Sequence, residues 1–168
     1  KFYNLKVKIM LKKSKIFVFL LPILVAFGFS TAQASEEMII EKLSPLGFDE
    51  TITKIKQNAK ALGWKVPKKW KKNFQKNLKH VTKEDIGKNL VFSMCEPWAA
   101  VKLLKHDRYK KFLAMMPCSF AVYEKSDGKV YASFMNIQLM GQMYKGQKEI
   151  EDLVNELGPH MVKMVDFN

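Results

Sequence analysis

Arginine is almost missing from this chain of 168 residues: Arg108 stands alone among 29 basic side chains. A bidentate guanidinium clamp for phosphate or carboxylate is therefore not expected, and Arg108, set among lysines, reads as a surface residue. Cysteine is nearly as scarce. Only Cys95 and Cys118 occur, and neither has a second cysteine close by in sequence. That spacing excludes a thioredoxin-like Cys-x-x-Cys pair, a Cys-x-x-Cys-His haem attachment and the clustered cysteines of a zinc site. The three histidines, His80, His106 and His160, are scattered, and the chain has no His-Glu-x-x-His, glycine-rich phosphate loop or nucleophile elbow. No residue set reads as a catalytic constellation, so an enzyme is the less favoured class. No segment recurs at a period of about 20 to 50 residues, which removes solenoids and propellers. Acidic residues are also few, 16 against 29 basic ones, and the formal charge is +13.

What is present begins with a leader. Residues 1–34 carry six of the lysines and no acid; the apolar run Ile16 to Phe29 follows, then Ala32-Gln33-Ala34 before Ser35. This is the basic, apolar and small-residue order of a secretory signal peptide, with cleavage expected after Ala34. The run is shorter than the ~20 residues that span a bilayer comfortably and is broken by Pro22 and Gly28. Left uncleaved, the same segment would act as a membrane anchor. Met10-Leu11-Lys12-Lys13 resembles an ordinary signal-peptide start, so Lys1 and Met10 are alternative beginnings. A periplasmic or secreted address is expected. Residues 35–168 match the ~100 to 200 residues of one domain and stay basic.

Along that domain, Glu37 to Leu43 reads as a strand ended by Ser44-Pro45-Leu46-Gly47. Asp49 is a candidate N-cap for a helix whose apolar positions are Ile52, Ile55, Ala59 and Leu62, with Gly63 at its C-terminal end. Trp64 to Val66 then reads as extended. In the lysine-dense stretch from Lys68 to Lys88, Trp70, Phe74 and Leu78 fall on one helical stripe. The helix would either dock that stripe on the core or present a basic amphipathic surface through Lys68, Lys69, Lys71, Lys72, Lys76 and Lys79. An acidic protein or a membrane surface suits such a face; nucleic acid suits it less at an exported address. Asn89 to Met94 is the most strand-like run, and Pro97 suits the first turn of a helix from about Trp98 to His106. Cys118 to Glu124 and Lys129 to Phe134, joined through Asp127-Gly128, form a hairpin signal. Gln147 to Leu157 is helical, Gly158-Pro159 interrupts it, and a last turn or two carries Met161 and Met164.

The string Ser93-Met94-Cys95-Glu96-Pro97-Trp98-Ala99-Ala100 resembles the small-x-Cys-x-Pro-x-x-Ala element of the domain of unknown function 302 family. Met115-Met116-Pro117-Cys118-Ser119-Phe120-Ala121-Val122 resembles its second element, and Gly47-Phe48-Asp49-Glu50-Thr51 with Gly63-Trp64 matches upstream. The run Met135 to Met143 is similar to a methionine-rich stretch of exported members. Glu96 departs from the family's usual Asn. The resemblance implies an α/β domain of the α+β type, single and small, with a two-layer mixed β-sheet packed against helices, and it is compatible with a homodimer. It implies no activity.

Chemistry concentrates around the two thiols, and three readings stay open. In an exported protein Cys95 and Cys118 are candidates for a disulfide closing a loop of about two dozen residues. Parallel neighbouring strands joined by one crossover would instead put the two sulfurs at opposite sheet ends. The second reading is a soft site, with Cys95, Cys118, Met94, Met115, Met116, Met140 and Met143 as candidate copper(I) ligands, since thiolate and thioether favour that ion. Flexible core packing explains the same methionines equally simply, and an apolar ligand held among them also stays open. The third reading is a thiol redox site, in which Cys95 would be activated by the helix it precedes and Glu96 would lie beside it.

Overall fold

The computed structural model describes residues 37–168, so the leader reading of residues 1–34 falls outside the described residues. Strand β1 (Ile39–Ser44) ends where Pro45 removes the next ladder donor. There the Ser44 and Thr51 hydroxyls share a buried hydrogen bond of 2.7 Å that ties the strand to the first turn of helix α1 (Phe48–Ala61). The cap is Gly47 rather than Asp49: the Glu50 carboxylate accepts the Gly47 N–H at 3.2 Å. Ile52, Ile55 and Ala59 form the buried stripe of α1. Gly63, at φ +85°, then turns the chain so that Trp64 enters the core.

The sheet is completed by β2 (Lys71–Asn73), β3 (Asn89–Met94), β4 (Cys118–Glu124) and β5 (Val130–Met135), in the order β1-β5-β4-β3-β2. Along β3 and β5 buried and half-buried residues alternate, so one face meets the helices and the other stays open. Phe92, Phe120 and Phe134 stack across the covered face, with ring centroids 6.2 and 5.1 Å apart. Helix α5 (Lys148–Met164) adds Ile150, Leu153, Val154, Leu157, Met161 and Met164 to the same core. Helix α4 (Ile137–Met143) lies on α5 through Gly141, where an added Cβ would come within 3.1 Å of Val154. The result is a two-layer α+β domain, as the resemblance implied.

Four expectations are corrected by the structure. The sheet is not mixed: every ladder among the described residues is antiparallel. The reason lies between β3 and β4, where two helical segments, α3 (Pro97–Leu104) and a 3₁₀ segment (Asp107–Met115), replace a single crossover. The second returns the chain to the sheet end it left. Trp64 to Val66 is not a strand; only Lys65 is paired, in one antiparallel bridge with Cys95. The lysine-rich helix is shorter than its pattern: Trp70 precedes β2, and α2 spans only Phe74–Thr82. Pro159 does not end the last helix. Apolar residues on both sides of it, Leu153 and Leu157 before and Met161 and Met164 after, are buried in the core, and this packing outweighs the loss of one backbone donor.

Candidate functional site at the β3–β4 end of the sheet

The antiparallel register brings the two cysteine segments together. Met94, the last residue of β3, is the cross-strand partner of Cys118, the first of β4. Directly opposed residues share a face, so Cys118 lies on the covered side beside Met94 and packs against the core. Cys95, one residue further on, is still held by two backbone hydrogen bonds to Lys65, of 2.8 and 3.0 Å. The pleat therefore turns Cys95 toward the other side. The thiols share a sheet end but not a face, and both are free. This corrects the disulfide expectation twice over. The cysteines are not at opposite ends of parallel strands, and no bridge joins them.

Their electrostatics run against activation. Burial pushes the Cys118 thiol up from 9.0 to about 11, with a smaller contribution from Cys95. Cys95 is also raised, first by burial and then by the negative charge of Glu96. The α3 N-terminus, expected to lower the Cys95 pKa, is already engaged. Glu96 is its N-cap and accepts the Ala99 N–H, while Pro97 fills the first turn. Both thiols are protonated at neutral pH.

Around this corner the structure forms a half-open cavity of about 530 Å³. On the helix side its wall is apolar: Trp64, Leu103, Phe112, Leu153, Leu157 and Met161. At the sheet end it is lined by Cys95, Glu96, Met115, Met116, Pro117 and Cys118, with Met140 contributed by α4. It continues onto the open face over Ser93, Ser119, Ala121 and Ser133, where the Ser93 and Ser119 hydroxyls are 3.0 Å apart. Trp64, only 2% exposed, donates its indole N–H to His160 Nδ1 at 3.3 Å, which leaves little polar capacity in that wall.

The soft-ligand set read from the sequence is thereby divided. Cys95, Cys118, Met115, Met116 and Met140 line the cavity. Met94 is fully buried in the core, and Met143 is 76% exposed on α4; neither lines it. With Cys95 and Cys118 on different sides of the pleat, the seven residues do not form one coordination sphere. Among the described residues no group of three or more His, Cys, Asp or Glu is placed to hold a metal ion. His160 serves Trp64, His106 stands edge-on to Tyr109, and His80 lies on α2. Arg108 pairs with Glu149 at 2.8 Å and stacks over Tyr109, as a surface residue would. The proposed basic face is exposed throughout: Lys68, Lys69, Lys71, Lys72, Lys76 and Lys79 all face solvent.

Sequence reasoning missed the helical walls of the cavity. Trp64 was visible as a large aromatic after a turn glycine. Phe112 sits in a 3₁₀ segment whose spacing resembles neither a helix nor a strand.

A five-stranded antiparallel sheet covered by helices on one face, with an apolar cavity at one end of its central strands, defines a small two-layer α+β class. The model of the family described as "Domain of unknown function DUF302" matches residues 40–167, and the chain belongs to that family. Among solved structures, the chain is similar to an uncharacterized conserved DUF302 protein from Bacillus stearothermophilus. That likeness has a TM-score of 0.66 at 16% identity, covers 77% of this chain and 97% of the other, and establishes the fold alone. A search of curated proteins finds no match.

Proposed function

We propose that this is a binding protein for a small, uncharged and largely apolar ligand, held in the cavity between the sheet end and α5. The observation that carries this reading is the cavity itself: about 530 Å³, walled by Trp64, Leu103, Phe112, Leu153 and the methionines. That size falls in the range of small-molecule sites, and a few polar atoms set in an apolar wall are what such sites use to orient a ligand. An uncharged ligand suits the wall because it offers no arginine or histidine, its one carboxylate, Glu96, is committed to capping α3, and its one cation, Lys72, is an exposed residue of edge strand β2. Protonated thiols contribute soft, weakly polar surface rather than nucleophiles. The same protonation argues against a thiol redox role for Cys95 or Cys118. The basic, apolar and Ala-x-Ala order of residues 1–34 supports an exported protein, periplasmic or secreted.

The test is a titration with N-phenyl-1-naphthylamine, an uncharged aromatic probe that brightens when it leaves water. Saturable one-to-one binding is expected, with quenching of Trp64. Two variants that fill the cavity, Ala100→Phe on the α3 wall and Met116→Phe at the sheet end, should each abolish binding while keeping a cooperative thermal transition. Absent saturation, or equal binding by a folded variant, would reject the assignment.

A further inference from the structure

Helix α2 stands apart from the cavity wall, and its apolar residues are only partly covered. None of its residues is buried. Phe74 is 40% exposed, Leu78 39% and Val81 76%, and their spacing of four and three residues puts them on one stripe. A helix docked on the core would hide these positions; α2 leans on β3 and leaves Phe74 and Leu78 partly, and Val81 mostly, in water. The helix is nevertheless well formed. The Asn73 side chain accepts the Lys76 N–H at 2.8 Å, and Lys83, at φ +68°, closes the other end by donating its N–H to Lys79 O at 3.1 Å. Nine residues are too few for a stable isolated helix in water, so the scaffold presents a pre-shaped element.

Charge indicates what that element meets. From Lys68 to Lys83 there are seven lysines and no acidic residue. The nearest acid with a defined partner, Asp85, is already bound to Lys79 at 2.7 Å and to Gln75 at 3.0 Å. Lys72, Lys76 and Lys83 are exposed, and none has an acidic partner within ion-pair distance among the described residues. A stripe of Phe, Leu and Val bordered by free lysines is the chemistry of a surface that is apolar just beneath an anionic layer.

We propose that α2 docks this protein on an anionic lipid bilayer, with Phe74, Leu78 and Val81 entering the acyl boundary and Lys72, Lys76 and Lys83 meeting the headgroups. Helix α2 itself contributes none of its residues to the cavity wall; Lys72, in the strand before it, does, while Phe74, Leu78, Val81, Lys76 and Lys83 lie outside that wall.

Hydrogen exchange on the full chain, resolved to the amides between Phe74 and Thr82, tests the proposal. It reads α2 itself, whatever else of the chain touches the vesicle. Vesicles of equal phosphatidylglycerol and phosphatidylcholine should slow exchange in α2 at least tenfold, and pure phosphatidylcholine should leave it unchanged. Replacing Lys72, Lys76 and Lys83 together by Gln should raise the lipid concentration needed for half-protection about a hundredfold, at roughly fivefold per lysine. Val81→Asp, at an exposed position, should abolish protection with the melting temperature unchanged. Sodium chloride at about 0.5 M should weaken it. Unprotected α2, equal protection by both vesicle types, or full protection in the triple variant would overturn the proposal. Protection by polyglutamate matching that by anionic vesicles would overturn it in favour of an acidic polypeptide partner.

Discussion

The pH profile of Cys118 alkylation provides a direct test of the site chemistry. In the folded protein, burial holds this thiol at about 11, against 9.0 for the unperturbed group. Two units lower the thiolate fraction at pH 8 about a hundredfold, and the thiolate is the species that iodoacetamide attacks. Access also slows the reaction, but access changes the rate equally at every pH, so the shape of the profile isolates the ionisation. The assay is peptide-resolved mass spectrometry of timed alkylation between pH 7 and 11. The rate at Cys118 should climb about tenfold per unit well past pH 9 and level only near 11; in urea it should level near 9. The same shift sets a stability term. The folded form holds its proton more tightly than the unfolded form, so the contribution is intact below about pH 9 and is lost as pH rises toward 11. At about 1.4 kcal/mol per unit this comes to roughly 2 to 3 kcal/mol. Because lysines and tyrosines titrate in the same window, the measurement is the difference between wild type and Cys118→Ala, whose alkaline limb should be flatter by that amount. A Cys118 rate that levels near pH 9 in the folded protein, or identical alkaline limbs, would refute the upward shift by burial, and levelling well below pH 8 would restore a redox role.

Two mutations probe the scaffold that shapes the cavity. Phe120→Ala removes the middle ring of the Phe92-Phe120-Phe134 stack at a fully buried position and should cost about 3 to 5 kcal/mol in urea unfolding; a loss under about 1 kcal/mol would mean that the stack does not hold the sheet to α1 and α5. Gly141→Ala places a methyl 3.1 Å from Val154 Cγ1, where the neighbour is a buried, branched side chain. The overpacking should cost about 1 to 3 kcal/mol, and Val154→Ala in the same chain should recover part of it. Strict additivity of the two changes would show that α4 and α5 do not meet there.

The sequence carried the local facts of this protein. Period and punctuation located α1, β3, the β4–β5 hairpin through Asp127-Gly128 and most of α5, because each is decided by side chains within one or two turns of one another. The two cysteine-proline elements were legible as a pair characteristic of a family, and Cys95, Cys118 and Glu96 do meet at one cavity. Where local pattern and tertiary packing disagreed, packing prevailed. The stripe Trp70, Phe74 and Leu78 has helical spacing, yet backbone pairing with β3 reaches back to Trp70 and Lys71–Asn73 becomes an edge strand. Pro159 is a helix breaker by propensity, yet it lies inside α5 because the residues around it reach the core.

Strand direction could not be read locally at all. A hydrophobic run has the same pattern whichever way it lies, and the path of the 23 steps from Cys95 to Cys118 depends on how α3 and the 3₁₀ segment pack. That path set the Met94–Cys118 register, put the two thiols at one sheet end on different sides of the pleat, and raised the Cys118 pKa by burial. Residue types and short-range spacing are written in the chain. Faces, registers and the dielectric around a thiol come from contacts between residues far apart in sequence, which exist only once the chain has closed on itself.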